Sequence, residues 1–191
     1  AGSRAEIWSR HIVDSAQLLE LAPQDSVDGL WIDLGTGAGL PGIVIAALRD
    51  APMMMIEARP LRTAFLDRCV EALAIPHARV VCDKVERVKI DRPAAIISAR
   101  AYAPMDRLLA SAAHLADLST TWLLPKGRNA DNELAIARRD WQALFHVEQS
   151  ITDFGSAIVT LKDLKPILRG PSKPARTANR GSFSKKKGRS A

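Results

Sequence analysis

Hydrophobic residues along the chain fall into two arrangements, short unbroken runs and stripes of helical spacing. Ile7, Trp8, His11, Ile12, Ser15, Leu18 and Leu19 form a helical stripe that stops before Pro23. Residues 30–33 are a short apolar run closed by glycines, the pattern of a buried strand. Residues 40–49 read as a helix with Pro41 in its first turn. Residues 53–57 predict a second strand, and a helix follows from Pro60 with Leu61, Phe65, Leu66, Cys69 and Leu73 on one face. Residues 79–82 and 94–98 predict two more strands. Met105, Leu108, Leu109, Ala112 and Leu115 mark the next helix, 120–124 a fifth strand and 131–139 another helix. Two strands, about 143–149 and 156–161, then follow with no clear helix between them. Strand–helix alternation predicts an α/β fold with a mostly parallel sheet covered on both faces, and the last two strands add an antiparallel edge.

The segment Asp33-Leu34-Gly35-Thr36-Gly37-Ala38-Gly39-Leu40-Pro41-Gly42 joins the first strand to a helix. Glycines there permit positive φ and close approach of a ligand to the backbone, at the sheet end where open α/β folds bind ligands. Two readings compete. Gly37-x-Gly39-x-x-Gly42 matches a dinucleotide fingerprint, with Glu57 downstream for ribose hydroxyls, which would make the protein an NAD-dependent oxidoreductase. Asp33, however, gives D-x-G-x-G-x-G. An acid at that point opposes a pyrophosphate and suits the ammonium end of an amino-acid-bearing nucleoside, S-adenosylmethionine. The spacing favours the methyl donor, with Gly37 in the loop and Glu57 on the ribose.

Three further segments narrow the choice. Arg10-His11-Ile12-Val13-Asp14-Ser15 is similar to an RHI-x-DS signature, Asp33 to Gly42 to a DLGTGxGxPG loop, Ile97-Ser98-Ala99-Arg100-Ala101 to an SRAxA segment, and Lys126-Gly127 to a KG pair after a strand. In this order the motifs resemble the RsmG (GidB) family, ribosomal RNA small subunit methyltransferase G, over residues 10–161. The resemblance implies a class I S-adenosylmethionine-dependent methyltransferase, Rossmann-like, that methylates guanine N7 in 16S ribosomal RNA. It assigns Gly35, Leu40, Val85, Glu86 and Arg100 to the cofactor, with Val85 standing where the family usually has Ala. It also implies a longer helical region ahead of Arg10, of which residues 1–22 are the remnant, then a methyltransferase domain over 23–168.

Guanine N7 already carries an in-plane lone pair and has no proton to lose. Catalysis then rests on proximity and alignment, with no catalytic proton-transfer residue and no metal. A target base must leave its stack, so the site needs a pocket and anchors, for which Arg10, His11, Arg62 and Lys126 are the RNA-binding candidates. The partner is 16S rRNA or the 30S particle, met by a monomer. A non-catalytic RNA-binding or ribosome-assembly protein that kept the fold stays open as another reading.

Composition changes little in this picture. The chain has 191 residues, 47% hydrophobic and 25% charged, which suits one domain with an appendage. It contains no apolar run of membrane-spanning length. Cys69 and Cys82 have no C-x-x-C spacing and lie in apolar sequence, which excludes a disulfide framework and fits a reducing, cytoplasmic setting.

Charge is more informative once it is located. The net charge is +6, but residues 162–191 hold ten Lys/Arg against Asp163, while the preceding residues hold 17 bases against 20 acids. The basic excess therefore belongs to the end of the chain, where residues 169–191 carry almost nothing apolar and predict a disordered tail. If that tail is an arm on RNA phosphates, deleting residues 170–191 lowers RNA affinity and flattens its salt dependence by about one unit of slope for each phosphate the arm neutralises. A binding titration across salt concentrations checks this, and an unchanged slope makes the tail incidental.

Overall fold

Residues 4–26 and 28–168 are described by a computed structural model, so the basic tail predicted at 169–191 lies outside the described residues. Each predicted apolar run becomes a strand: β1 (Trp31–Leu34), β2 (Met53–Ile56), β3 (Ala78–Val81), β4 (Ile96–Ser98), β5 (Thr121–Lys126), β6 (Trp141–Gln149) and β7 (Ala157–Pro166). They form one sheet in the order β3-β2-β1-β4-β5-β7-β6. The first five are parallel, and β7 runs antiparallel to both β5 and β6. The short connection between β6 and β7 leaves no room for a crossover, so these strands pair as a hairpin. β7 takes the inner place against β5, and β6 is outermost in this antiparallel edge.

Strand side chains alternate between two cores, one on each face of the sheet. Ile32, Leu34, Met54 and Ile56 enter one core, together with Met105, Leu108, Leu109 and Ala112 of α5 (Met105–Ala112) and Leu134 of α6 (Ala130–Ala137). Trp31, Met53 and Met55 enter the other, with Ile45 of α3 (Gly42–Leu48) and Leu18. All five apolar residues read as the stripe of the 105–115 helix are buried. The methionine run 53–55 is core on both sides.

The first helical stripe is more irregular than its spacing suggests. The chain winds as α1 (Arg4–Ile7), a π-helical stretch (Trp8–Val13), α2 (Asp14–Ala16) and a 3-10 turn (Gln17–Leu19). The wider π turns take up an extra residue and shift the phase of the helix. Ser15 and Leu18 are consequently buried, while Ile7 and Trp8 of the same predicted stripe are exposed.

A second correction concerns α4 (Pro60–Ala72). Of its predicted apolar face, Leu66 is fully buried and Cys69 partly so, but Leu61, Phe65 and Leu73 are turned to solvent, with Leu61 88% exposed. The helix docks through Leu66 together with Thr63, which the apolar spacing did not mark. Cys82 is exposed and Cys69 partly so, and both are free thiols.

These placements separate two leucines that look equivalent in sequence. Leu18→Ala removes a fully buried side chain and is expected to cost about 3 kcal/mol, whereas Leu61→Ala is expected to change stability by less than about 0.5 kcal/mol. Denaturant unfolding of the two variants decides it, and equal losses would refute the assigned docking face.

Candidate active site

The order of the sheet reverses at β1, which has β2 on one side and β4 on the other. A crevice opens at such a switch point, beyond the carboxyl ends of the strands. The glycine loop leaves β1 there with Gly35, Gly37 and Gly39 at φ of 58°, 63° and 93°, values that side-chain-bearing residues rarely adopt. A Cβ on Gly35 would also stand 2.3 Å from the Tyr102 ring.

Asp33 holds this loop from below. Its Oδ2 accepts the Gly42 N–H at 3.1 Å and its Oδ1 accepts the Ser98 hydroxyl at 2.7 Å. Ser98 in turn accepts the Trp31 indole N–H at 2.9 Å. The side chain has no solvent exposure, so the expectation that it meets the ammonium of a ligand is corrected: Asp33 fastens the loop to β4 and the following helix. Burial raises its pKa to about 6, against the opposing pull of its hydrogen bonds and of Arg100.

Several of the loop amides are satisfied by the protein itself. Gly37 N–H donates to Glu57 Oε2 at 3.1 Å, Gly39 and Leu40 N–H both donate to Thr36 O, and Gly42 donates to Asp33. A pyrophosphate cradle needs free amides at this turn, and these four are spent.

Glu57, at the end of β2, is the pivot of the first cleft, a space of about 430 Å³ lined also by Gly35, Arg62, Val85, Glu86 and Tyr102. Its carboxylate accepts Gly37 N–H and, at 3.5 Å, the Arg62 guanidinium on Oε2, and Arg59 N–H on Oε1. A carboxylate has about four lone-pair positions, so Oε1 keeps one for a ligand hydroxyl. Of the cofactor candidates, this cleft gathers Gly35, Glu57, Val85 and Glu86, with Gly37 bonded behind Glu57. Leu40 lines neither this cleft nor its neighbour.

Arg100 lines the neighbouring cleft, across Ala101 and Tyr102. It donates to Asp14 Oδ2 at 2.9 Å and to the Arg10 carbonyl at 3.4 Å. Asp14 Oδ1 accepts from Gln17 and, at 2.7 Å, from the Thr152 hydroxyl in the β6–β7 connection. Among the RNA candidates, Arg62 borders the first cleft and Lys126 the second, while Arg10 and His11 are exposed and line neither. The Lys126 ammonium is held by Glu133 and the Ala103 carbonyl, with its side chain only 8% exposed.

Reading by motif passed over Asp14, Tyr102 and Glu133. Asp14 sits inside the RHI-x-DS segment and Tyr102 directly follows the SRAxA segment, so both carried a signal. Glu133 looks like any acid in the first turns of a helix. Among the described residues no group of His, Cys, Asp and Glu is arranged to hold a metal ion, and no helix is long and apolar enough to cross a membrane.

The sequence profile of rRNA small subunit methyltransferase G (GidB) matches residues 2–161. The chain belongs to that family. It is 54% identical over 153 residues to the ribosomal RNA small subunit methyltransferase G of Sphingopyxis alaskensis, covering 80% of this chain and 65% of that protein. To the protein of the same name from Novosphingobium aromaticivorans it is 48% identical over 159 residues, covering 83% and 69%. The chain thus spans about two thirds of the length of these GidB relatives. Its fold is that of class I S-adenosylmethionine-dependent methyltransferases. A glycopeptide N-methyltransferase complexed with S-adenosylhomocysteine superposes with a TM-score of 0.67 at 10% identity, covering 80% of this chain and 89% of that one. An S-adenosylmethionine-dependent methyltransferase from Aquifex aeolicus gives 0.64 at 12% identity, covering 83% and 93%. Membership of the GidB family sets aside the oxidoreductase reading, in agreement with the spent loop amides.

Asp33 gives this site a pH signature. Its folded pKa lies above the unfolded value of 3.8, so between there and about 6 the folded chain keeps a proton that the unfolded chain has released. Stability from this group is therefore fully present below that window and lost as pH rises through it. Relative to Asp33→Asn, the wild type is expected to lose roughly 2 kcal/mol of unfolding free energy between pH 4 and pH 7. Parallel urea titrations measure the difference, and one that stays constant with pH would show that Asp33 is not the group.

Proposed function

We propose that the protein transfers the methyl group of S-adenosylmethionine to N7 of a guanine in 16S ribosomal RNA, presented as free RNA or in the 30S particle, in the cytoplasm. The observation that carries the reading is the glycine loop tied to Glu57, beside an open cleft, in a chain of the GidB family. A loop whose Gly37, Gly39, Leu40 and Gly42 amides are already bonded suits a ligand that brings hydroxyls rather than a diphosphate, and Glu57 Oε1 is the acceptor for them. Gly35, Gly37, Leu40, Glu57, Val85, Glu86 and Arg100 would hold the methyl donor on this reading, Leu40 from behind the turn.

The bound donor supplies an electrophilic methyl carbon on a sulfonium. Guanine N7 would bring its lone pair to that carbon and release S-adenosylhomocysteine, with positive charge left on the purine ring and no proton lost. No general base is called for; of the carboxylates near the clefts, Asp33 is tied to the loop, Asp14 to Arg100, and Glu57 to Gly37 and Arg59. The protein's part is alignment. Arg100, braced by Asp14, lines the second cleft next to Ala101 and Tyr102, which border both, and positions donor against base. Arg10, His11 and Arg62 are the accessible anchors for RNA.

Labelled methyl transfer to under-methylated 30S particles, with 7-methylguanosine identified in the hydrolysed rRNA, tests the proposal. Calorimetry is expected to show S-adenosylhomocysteine binding and no response to NAD. Arg100→Ala is expected to lower transfer roughly 100-fold or more with little change in thermal midpoint. Wild-type protein that binds the cofactor yet transfers nothing at saturation would instead be a non-catalytic RNA-binding protein.

A further inference from the structure

The second cleft, of about 470 Å³, lies at the carboxyl ends of β4 and β5 and is closed by the start of β7. Its two cations are both neutralised, Arg100 by Asp14 and Lys126 by Glu133, each at 2.9 Å. A phosphate is drawn to unpaired positive charge and finds none in these pairs. A neutral ring with directional hydrogen-bonding groups suits the cleft better, and Tyr102 supplies an aromatic wall.

Glu133 is the group with capacity to spare. Its Oε2 accepts the Lys126 ammonium at 2.9 Å and the Met105 N–H at 2.9 Å. Those bonds fix the side chain, which is 20% exposed and lines the cleft. Its Oε1 receives no hydrogen bond from the protein among the described residues. A partly buried carboxylate oxygen without a donor, held by two bonds on its twin, is a preset acceptor.

We propose that Glu133 recognises the target base, its Oε1 accepting the N1–H of a guanine seated in this cleft. The assignment rests on the guanine-N7 reading above and adds the residue that selects the base. Extruded bases are read on the Watson–Crick edge. Guanine presents N1–H there with the N2 amino group beside it. Adenine and cytosine place an unprotonated ring nitrogen at the corresponding position, which opposes a carboxylate lone pair to lone pair. Uracil has a ring N–H, but a carbonyl oxygen flanks it on each side and repels the acceptor.

The same contact favours reaction. As N7 takes the methyl group the ring becomes cationic and N1–H becomes a stronger donor. Its bond to Glu133 therefore tightens in the transition state, which raises kcat as well as affinity. Glu133 acts as a recognition residue that touches the substrate and exchanges no proton with it.

Glu133→Gln is the test, since its amide oxygen can still accept from Lys126 and Met105 while its NH₂ faces the N1–H. On under-methylated 30S particles, kcat/KM is expected to fall roughly 10–100-fold, with kcat contributing to the fall. S-adenosylhomocysteine affinity is expected to match the wild type, while the thermal midpoint falls because Lys126 loses its counter-charge. Full activity in the variant overturns the proposal, as does a loss of cofactor affinity equal to the loss of activity. Should the variant fold poorly, wild-type protein on particles whose target guanine is replaced by 1-methylguanine decides the matter: transfer at the normal rate overturns it, and a fall of at least tenfold supports it. Wild-type protein that transfers no methyl group to normal particles defeats the proposed function itself, and this inference with it, before any variant is made.

Discussion

A single carboxylate without solvent contact organises the ligand end of this sheet. Asp33 lies near the end of β1, at the point where strand order reverses, and its two oxygens accept from the Gly42 amide and the Ser98 hydroxyl. One bond fixes where α3 begins, and the other fixes the end of β4, from which Arg100 and Tyr102 continue. Both clefts take their shape from those two points. Burying this acid is unfavourable to its charged form, which is why its pKa rises to about 6. The molecule accepts that cost in exchange for a loop whose glycines hold positive φ without collapsing into the sheet.

Much of this was legible in the sequence, for physical reasons that differ by element. Buried parallel strands are continuous apolar runs, so residues 31–34, 53–56 and 96–98 stood out by composition alone. α5 stood out as well, since all its spaced apolar residues face one core. The N-terminal segment and α4 were less legible. A π stretch shifts the phase of the first helix, and phase is what periodicity reads. On α4 the exposed Leu61 and Phe65 outweigh the buried Thr63 in any hydrophobic count, so the count finds Leu66 but centres the face toward solvent.

The site shows the same division. Gly35, Glu57 and Arg100 follow strand ends, where chemistry concentrates, and the motifs marked them. Asp33 was marked too but with its role inverted, because spacing shows that an acid is present and not which donors surround it. Glu133 was invisible. Its significance depends on Lys126, seven residues earlier, and on the Met105 amide from another helix, and a linear pattern carries no trace of that meeting.

The bond from Thr152 to Asp14 joins residues 138 positions apart, and the Arg100–Asp14 pair spans 86. One wall of the second cleft is thus assembled from the start, middle and end of the described chain. During synthesis the glycine loop, β1 and β2 emerge early, while the partner that completes this wall emerges near the end. A growing chain can therefore form the glycine loop and its strands long before the second cleft is complete, and that cleft closes only when the β6–β7 hairpin docks.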